Sequence, residues 1–406
     1  MFMKITWKTI IFTFITFSLV LVFLEFSLIF TSFLSPRINQ VLIGVSPTVP
    51  DDRLGHRPNP ELPGHDSKGF RNVSVPKEVK IVALGDSQTY GTGVEPKDAW
   101  PRQLEYLMKK SVYSMAYGGY GPTDSLILWE EAASLNPDIY IEAFYSGNDL
   151  FDSFDIVYNR GQLPELKTVN KNIEIIVKKA ESEEPIAQSV SRMYRMGRGK
   201  ELKSKPGIFQ VRRFLSNNSK LYGLLRRAKN ELLRRLSATK TESEWERAKK
   251  FAKENSDYCQ IFANDQFKTI FTPEYRLSAL NLRDSRISEG HRISLEAIRS
   301  MSERAAKDNK QFLVVLIPTK ELVFKNFVKE LSSTYIDLIQ NEVKMWKTTK
   351  EFLKNRDIEF VDALPSLREQ LTIGIQPYQV SHDGHPNKHG HKSIARLVYT
   401  KLKTRQ

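Results

Sequence analysis

Three short apolar runs, at residues 81–84, 111–116 and 138–145, each stop at a polar loop that contains glycine. Helix-like stretches lie between them: one capped by Asp98 and running through Trp100, Leu104 and Leu107, another over 123–134. Continuous apolar runs of this length, bounded by turn residues, are the pattern of strands buried on both faces. Parallel strands need helical crossovers, so the alternation confines this part of the chain to the α/β class. It also lines the loops up along one edge of the sheet. The alternation stops near residue 150 and returns near 289, with a helix over 289–308, a strand over 311–317 that ends at Pro318-Thr319-Lys320, a helix over 333–355 and a strand over 358–361 closed by Asp362. Asn387 can cap a last helix over 388–402. The expectation is five strands with helices between them.

The amino-terminal end obeys different rules. Lys4 and Lys8 precede an apolar run, residues 9–34, broken by Glu25 and scattered serines and threonines and followed by Pro36. A bilayer is crossed by roughly 20 apolar residues in a helix. The run is longer than the apolar core of a cleaved signal peptide, and no Ala-x-Ala follows it. We expect an uncleaved signal anchor in the cytoplasmic membrane: residues 1–8 as a cytoplasmic tail, 9–34 as a single span, and the rest outside under the positive-inside rule. Glu25 is costly in lipid; such a residue faces a partner or snorkels, and it is expected near the outer interface. Residues 35–79, rich in Pro, Gly and charge, read as a juxtamembrane connector, with 66–71 as a turn packed on the domain.

Between the two α/β stretches the composition changes. Residues 160–290 carry dense Lys and Arg, including Arg212-Arg213, Arg226-Arg227 and Arg234-Arg235, and contribute to the net charge of +14 over 406 residues. Leu221, Leu224, Leu225, Leu232 and Leu233 have the spacing of a basic amphipathic helix, suited to anionic headgroups or to covering the core domain. The basic balance admits nucleic acid, an anionic membrane or an acidic polymer as neighbour. Aromatics interleaved for base stacking are missing, which together with an outside location argues against nucleic acid. We read 80–404 as one domain with a basic helical insertion over 150–288, partly disordered near 165–205. Cys259 is the sole cysteine, so neither an internal disulfide nor a Cys/His zinc framework is available.

Chemistry concentrates at the loops. Ser87 follows Gly85-Asp86 just past the first strand, and in open α/β sheets ligands bind at the carboxyl ends of the strands. It is a candidate nucleophile, although Gly-Asp-Ser is also ordinary turn chemistry. Four of the seven histidines lie between His382 and His391. His382, Asp383, His385 and His389 could hold a metal, but Pro386 and the cap at Asn387 interrupt the helix that His385 and His389 would share. They could be plain surface histidines. Alternatively, Asp383 can orient His385 as a general base for a serine. Ester chemistry also needs donors for an oxyanion. Gly119 can offer a backbone N–H and Asn148 a side-chain amide, although each is also a common turn or cap residue.

Gly85-Asp86-Ser87, Gly119, Gly147-Asn148-Asp149 and Asp383-x-His385 together resemble the four blocks of the SGNH, or GDSL-type, hydrolase family, over residues 80–149 and 311–404. The resemblance implies a three-layer α/β/α, flavodoxin-like parallel sheet and no cofactor. It implies Ser87 as nucleophile, His385 as base, Asp383 as its acid, and Ser87 N–H, Gly119 and Asn148 as oxyanion donors. Two departures stand out. Ser114 replaces the Asn of the second block, and one residue rather than two separates Asp383 from His385, so a backbone carbonyl could hold the ring instead and His382 is the alternative base. The implied activity is a serine esterase working through an acyl-enzyme at the outer face of the membrane. An O-acyltransferase that modifies an envelope glycan is the second reading, and a non-catalytic envelope scaffold or polymer-binding module the third. The expected partners are an acyl ester, with an envelope glycan or lipid behind it, and the membrane.

Overall fold

The computed structural model describes residues 6–34, 46–186, 211, 214–215, 219–238 and 243–404. The chain forms two compact units, Met1–Ser46 with Lys200–Glu242, and Pro47–Gly199 with Ser243–Gln406.

In the first unit, Trp7–Leu34 is one apolar helix, and Trp7–Thr31 is long and apolar enough to cross a membrane. The leucine pattern forms the helix Lys220–Ala238, grouped with the apolar helix and not with the sheet. Glu25, expected near the outer interface, has a partner that the sequence did not reveal. Its carboxylate accepts from Ser219 Oγ at 2.8 Å and from the N–H groups of Lys220 and Leu221 at 2.6 and 3.0 Å. These are donors at the start of the basic helix, where free N–H groups and the helix dipole favour an anion.

The second unit is built on a sheet. Its strands in chain order are β1 (Thr48–Asp51), β2 (Gly55–Pro58), β3 (Ile81–Gly85), β4 (Val112–Ala116), β5 (Ile139–Tyr145), β6 (Gln260–Ala263), β7 (Lys268–Phe271), β8 (Gln311–Ile317) and β9 (Phe360–Asp362). Five of them form an all-parallel sheet in the order β4-β3-β5-β8-β9. Every residue of β3, β4 and β5 is buried, which is why these runs carry no polar alternation. The helices Pro122–Ile127, Asp149–Phe154, Ser285–Lys307 and Ser333–Lys354 pack as one layer, and Trp100–Met108, Ala363–Thr372 and Lys388–Lys403 as the other. The expected three-layer α/β/α, flavodoxin-like sheet is therefore present. The chain leaves β3 for the edge strand β4 and returns across it to β5. The switch point of the topology thus falls at the carboxyl ends of β3 and β5.

Several boundaries move. Asp98 does not cap Trp100–Met108; it lies in the preceding 3-10 turn, and the Trp100 N–H donates to His391 Nδ1 at 3.3 Å. The helix expected over 123–134 breaks at Leu128 into Pro122–Ile127 and Trp129–Ala133. The connector drawn over 35–79 is not a linker from Pro47 onward. β1 and β2 form a hairpin, and Leu54 and Phe70 are fully buried in the core. Asp66 ties the 66–71 turn to the sheet, accepting from Lys68 N–H at 2.9 Å and from Tyr113 OH at 2.8 Å. Asn72 bridges the edge strand by accepting from Ser114 N–H and donating to Ser114 O, both at 3.0 Å. The insertion is not purely helical, since β6 and β7 pair as an antiparallel hairpin. Within the stretch expected to be partly disordered, Lys171–Glu183 is a helix capped by Asn170; residues 187–205 lie outside the described residues.

Candidate active site

β3 ends at Gly85, whose φ is +139°. A Cβ there would come within 2.7 Å of Thr89 Oγ1 and 3.0 Å of Ala143 O on β5. Glycine therefore lets the chain turn sharply out of a close-packed sheet. Asp86 caps the short helix Ser87–Tyr90 by accepting from Gln88 N–H at 2.8 Å, which leaves Ser87 half-buried as the first helical residue. Asp86 is itself fully buried, and loss of hydration pushes its carboxyl up to about 6. Residues of the former connector brace this turn: Arg71 donates to Gly91 O at 2.8 Å and Val94 O at 2.9 Å, and His65 Nε2 lies 2.9 Å from Tyr90 OH.

The last loop arrives from 298 positions away and meets this serine, with His385 Nε2 2.8 Å from Ser87 Oγ. Asp86 Oδ2 is also near, at 3.3 Å. The serine has one hydrogen, and the shorter contact directs it toward the ring nitrogen. On the far side of the ring, His385 Nδ1 lies 2.5 Å from Asp383 Oδ1, and the same oxygen accepts the His385 N–H at 3.0 Å. The one-residue spacing is thus enough: side chain and backbone of His385 close on one carboxylate, and no backbone carbonyl is needed. Burial works to raise Asp383, but the hydrogen bonds and charge of His385, aided by Lys320, outweigh it and hold the carboxyl well below the usual range.

His382 does not compete for the base position. It stacks on Phe251 with ring centroids 4.0 Å apart, and burial lowers its pKa. His391 is buried beneath Trp100, and burial pushes it down to about 3. Among the described residues no group of three or more His, Cys, Asp or Glu is arranged to hold a metal ion. Both ring nitrogens of His385 are already engaged.

The donor candidates lie at the carboxyl ends of the strands that flank β3. Gly118 and Gly119 form the loop after β4. A Cβ on Gly118 would sit 3.9 Å from Ser87 Cβ, and His56 Nε2 lies 3.2 Å from Gly118 O. Asn148 follows β5 and donates its amide to Asp152 at 2.5 Å, with a weaker contact of 3.3 Å to Asp149. Asp149 in turn accepts the Tyr145 N–H at 2.8 Å, which folds this loop back on its own strand. An amide carries two hydrogens: the short contact to Asp152 orients Asn148, and the other hydrogen makes the long contact to Asp149.

Lys320, in the sequence only the last residue of the Pro318-Thr319-Lys320 strand stop, belongs to the site's support. It is fully buried. Its ammonium donates to Ile270 O at 2.7 Å, Asp383 O at 2.9 Å, Ser381 O at 3.0 Å and Thr269 Oγ1 at 3.2 Å. It fastens the loop of Asp383 and His385 to β7, and burial pushes it down to about 8. The sequence offered one faint signal, a polar residue right after a buried strand. A second omission, Arg276, lies in the insertion, where no motif pointed to it.

No family model and no curated protein matches this chain. Solved structures similar to it include a GDSL-like lipase from Bacteroides thetaiotaomicron, at 11% identity and a TM-score of 0.34, covering 81% of this chain and 90% of that one. A catalytic mutant of an acetylxylan esterase from Geobacillus stearothermophilus is similar at 12% identity and a TM-score of 0.36, covering 81% and 95%. An alpha/beta hydrolase enzyme from the metagenome of Lake Arreo is similar at 10% identity and 0.35, covering 80% and 97%. Likeness at this level decides nothing about the site, whose reading rests on its own geometry.

Proposed function

We propose that this chain is a serine esterase that works through an acyl-enzyme at Ser87. One observation carries the reading: Ser87 Oγ, His385 and Asp383 stand in an unbroken line of hydrogen bonds, 2.8 Å and 2.5 Å long, at the switch point of a parallel sheet. A serine hydroxyl is a weak nucleophile until an adjacent base takes its proton, and the base needs a third group to fix its tautomer. His385 Nε2 accepts the Ser87 proton as Oγ bonds to the ester carbonyl carbon. Asp383, held ionised, keeps the other proton on Nδ1 and stabilises the imidazolium. The oxyanion is met by the N–H groups of Ser87 and Gly119 and by the Asn148 amide hydrogen that now makes the longer contact to Asp149. As the tetrahedral intermediate collapses, the carbon–oxygen bond to the alcohol breaks, and the imidazolium returns its proton to that oxygen. Water, deprotonated by the same histidine, then releases the acid and restores Ser87.

The apolar helix would anchor the enzyme in the membrane with this domain on the outer face. A sugar hydroxyl in place of water would make the same site an O-acyltransferase, and the chain's positive charge suits an anionic envelope glycan. The test is hydrolysis of a short p-nitrophenyl ester by wild type and Ser87→Ala, with folding checked by circular dichroism. Activity should disappear in a folded variant, and retained activity refutes the assignment.

A further inference from the structure

Arg276 lies in the helix Pro273–Leu280, part of the insertion, and is only 7% exposed. Its guanidinium stands against the loop of the proposed base: a Cβ on Gly384, between Asp383 and His385, would come within 2.1 Å of Arg276 Nη2. Only glycine lets the cation reach that far. The rings of Tyr275 and Tyr145 flank it, 4.8 and 5.7 Å from their centroids, so it is held in an aromatic slot between the last residue of β5 and the loop of His385. Asp383 and Asp86 both lie within electrostatic reach. Yet among the described residues the guanidinium makes no ion pair, and its Nε–H is buried without an acceptor. A buried guanidinium left unpaired is costly, and its planar fork is matched by a carboxylate or a phosphate. Nearby Lys320 spends its donors on carbonyls, but Arg276 does not. The two buried cations beside one loop therefore differ: one is consumed by architecture and the other is not.

We infer that Arg276 is a specificity-determining residue that binds an anionic oxygen group, carboxylate or phosphate, carried by the ester substrate. This rests on the esterase reading and narrows it: the preferred substrate is an acyl ester of an anionic molecule. The carboxylate or phosphate docks on the guanidinium beside Gly384 and brings the ester carbonyl to Ser87. The charge-assisted contact favours such esters over neutral ones by about 10- to 100-fold in kcat/KM.

The test uses the full chain in detergent and three acetyl esters: an O-acetyl hexuronate, its neutral methyl ester, and an O-acetyl hexose phosphate. Wild type should prefer at least one anionic ester over the neutral one by about 10-fold or more, and which one separates carboxylate from phosphate. In Arg276→Gln the ratio should fall to near one, and Arg276→Lys should keep part of it. If the arginine variants do not fold, wild type alone decides: inorganic phosphate or free hexuronate, neither of them a product of the neutral ester, should inhibit its hydrolysis competitively. Equal rates on all three esters without anion inhibition, from an enzyme whose Ser87 reacts with a fluorophosphonate, overturn the inference and leave Arg276 as a counter-charge for Asp383 and Asp86. Absence of any hydrolysis together with an unreactive Ser87 overturns the esterase reading, and this inference with it.

Discussion

Residues 381–387 and the insertion segment 260–280 converge on the same buried ammonium of Lys320, but they bear on the chemistry in different ways. The first carries its function in adjacent positions: Asp383 and His385 bond to each other through side chain and backbone, and Asn387 caps the helix that follows. The second contributes Thr269, the Ile270 carbonyl and Arg276, none of which has a local partner that announces a role. On the proposed reading, reaction chemistry falls to short stretches at strand ends, and support and selectivity fall to a segment whose contacts to Lys320 and Gly384 are long-range.

Substitutions can break or sharpen that contrast. The largest effect belongs to the line of hydrogen bonds itself: His385→Ala should lower kcat/KM by about four orders of magnitude or more, measured by ester hydrolysis. Asp383→Asn, which leaves the ring in place but with an uncharged partner, should cost about 10²- to 10⁴-fold on the same assay. Lys320→Met should cost less, about 10- to 100-fold, because it displaces the base without removing it. It has a further signature. Lys320 is the last of the groups that hold Asp383 ionised, so without it the Asp383 carboxyl rises and the loss of activity that follows its protonation sets in at a higher pH. An unchanged profile with merely lower stability would make Lys320 structural only, and the contrast between the two regions would lose its main support.

The smallest effect on chemistry is expected from the sheet. Glu142, fully buried on β5, is raised to about 8 by burial. A carboxyl whose folded pKa is raised contributes stability that is whole below its unfolded value and is lost as pH rises through the folded one. Against Glu142→Gln, wild type should therefore be equal near the unfolded carboxyl value and less stable by a few kcal/mol toward pH ~8. Denaturant midpoints at several pH values measure this difference, and a pH-independent difference contradicts it.

How much of this the residues disclosed depends on the range of their contacts. The five strands of the sheet were legible because burial on both faces leaves unbroken apolar runs, and their ends fell within two residues of those expected. Ser87, Gly119, Asn148, Asp383 and His385 stood out because each sits where a strand or cap ends, and the parallel topology then gathers those ends on one edge. Residues 47–79, apart from the 66–71 turn expected to pack on the domain, do not disclose their place in the fold, for the opposite reason. Their Pro, Gly and charge resemble a linker, and only the fold reveals that Leu54 and Phe70 are buried and that Arg71 braces the turn after Ser87. Glu25 could be placed only near the outer interface, with no partner named, because its partners lie nearly two hundred positions away. Lys320 and Arg276 were silent because a cation that serves carbonyls, or waits beside a glycine, leaves no spacing to read.

The most direct test of the central claim is labelling of the purified chain with a fluorophosphonate, followed by mass mapping. The account predicts a single phosphonyl adduct on Ser87 in wild type, and slow or absent labelling in His385→Ala. A wild-type chain that cleaves esters while Ser87 stays unmodified, or one whose Ser87 labels equally fast without His385, would contradict it.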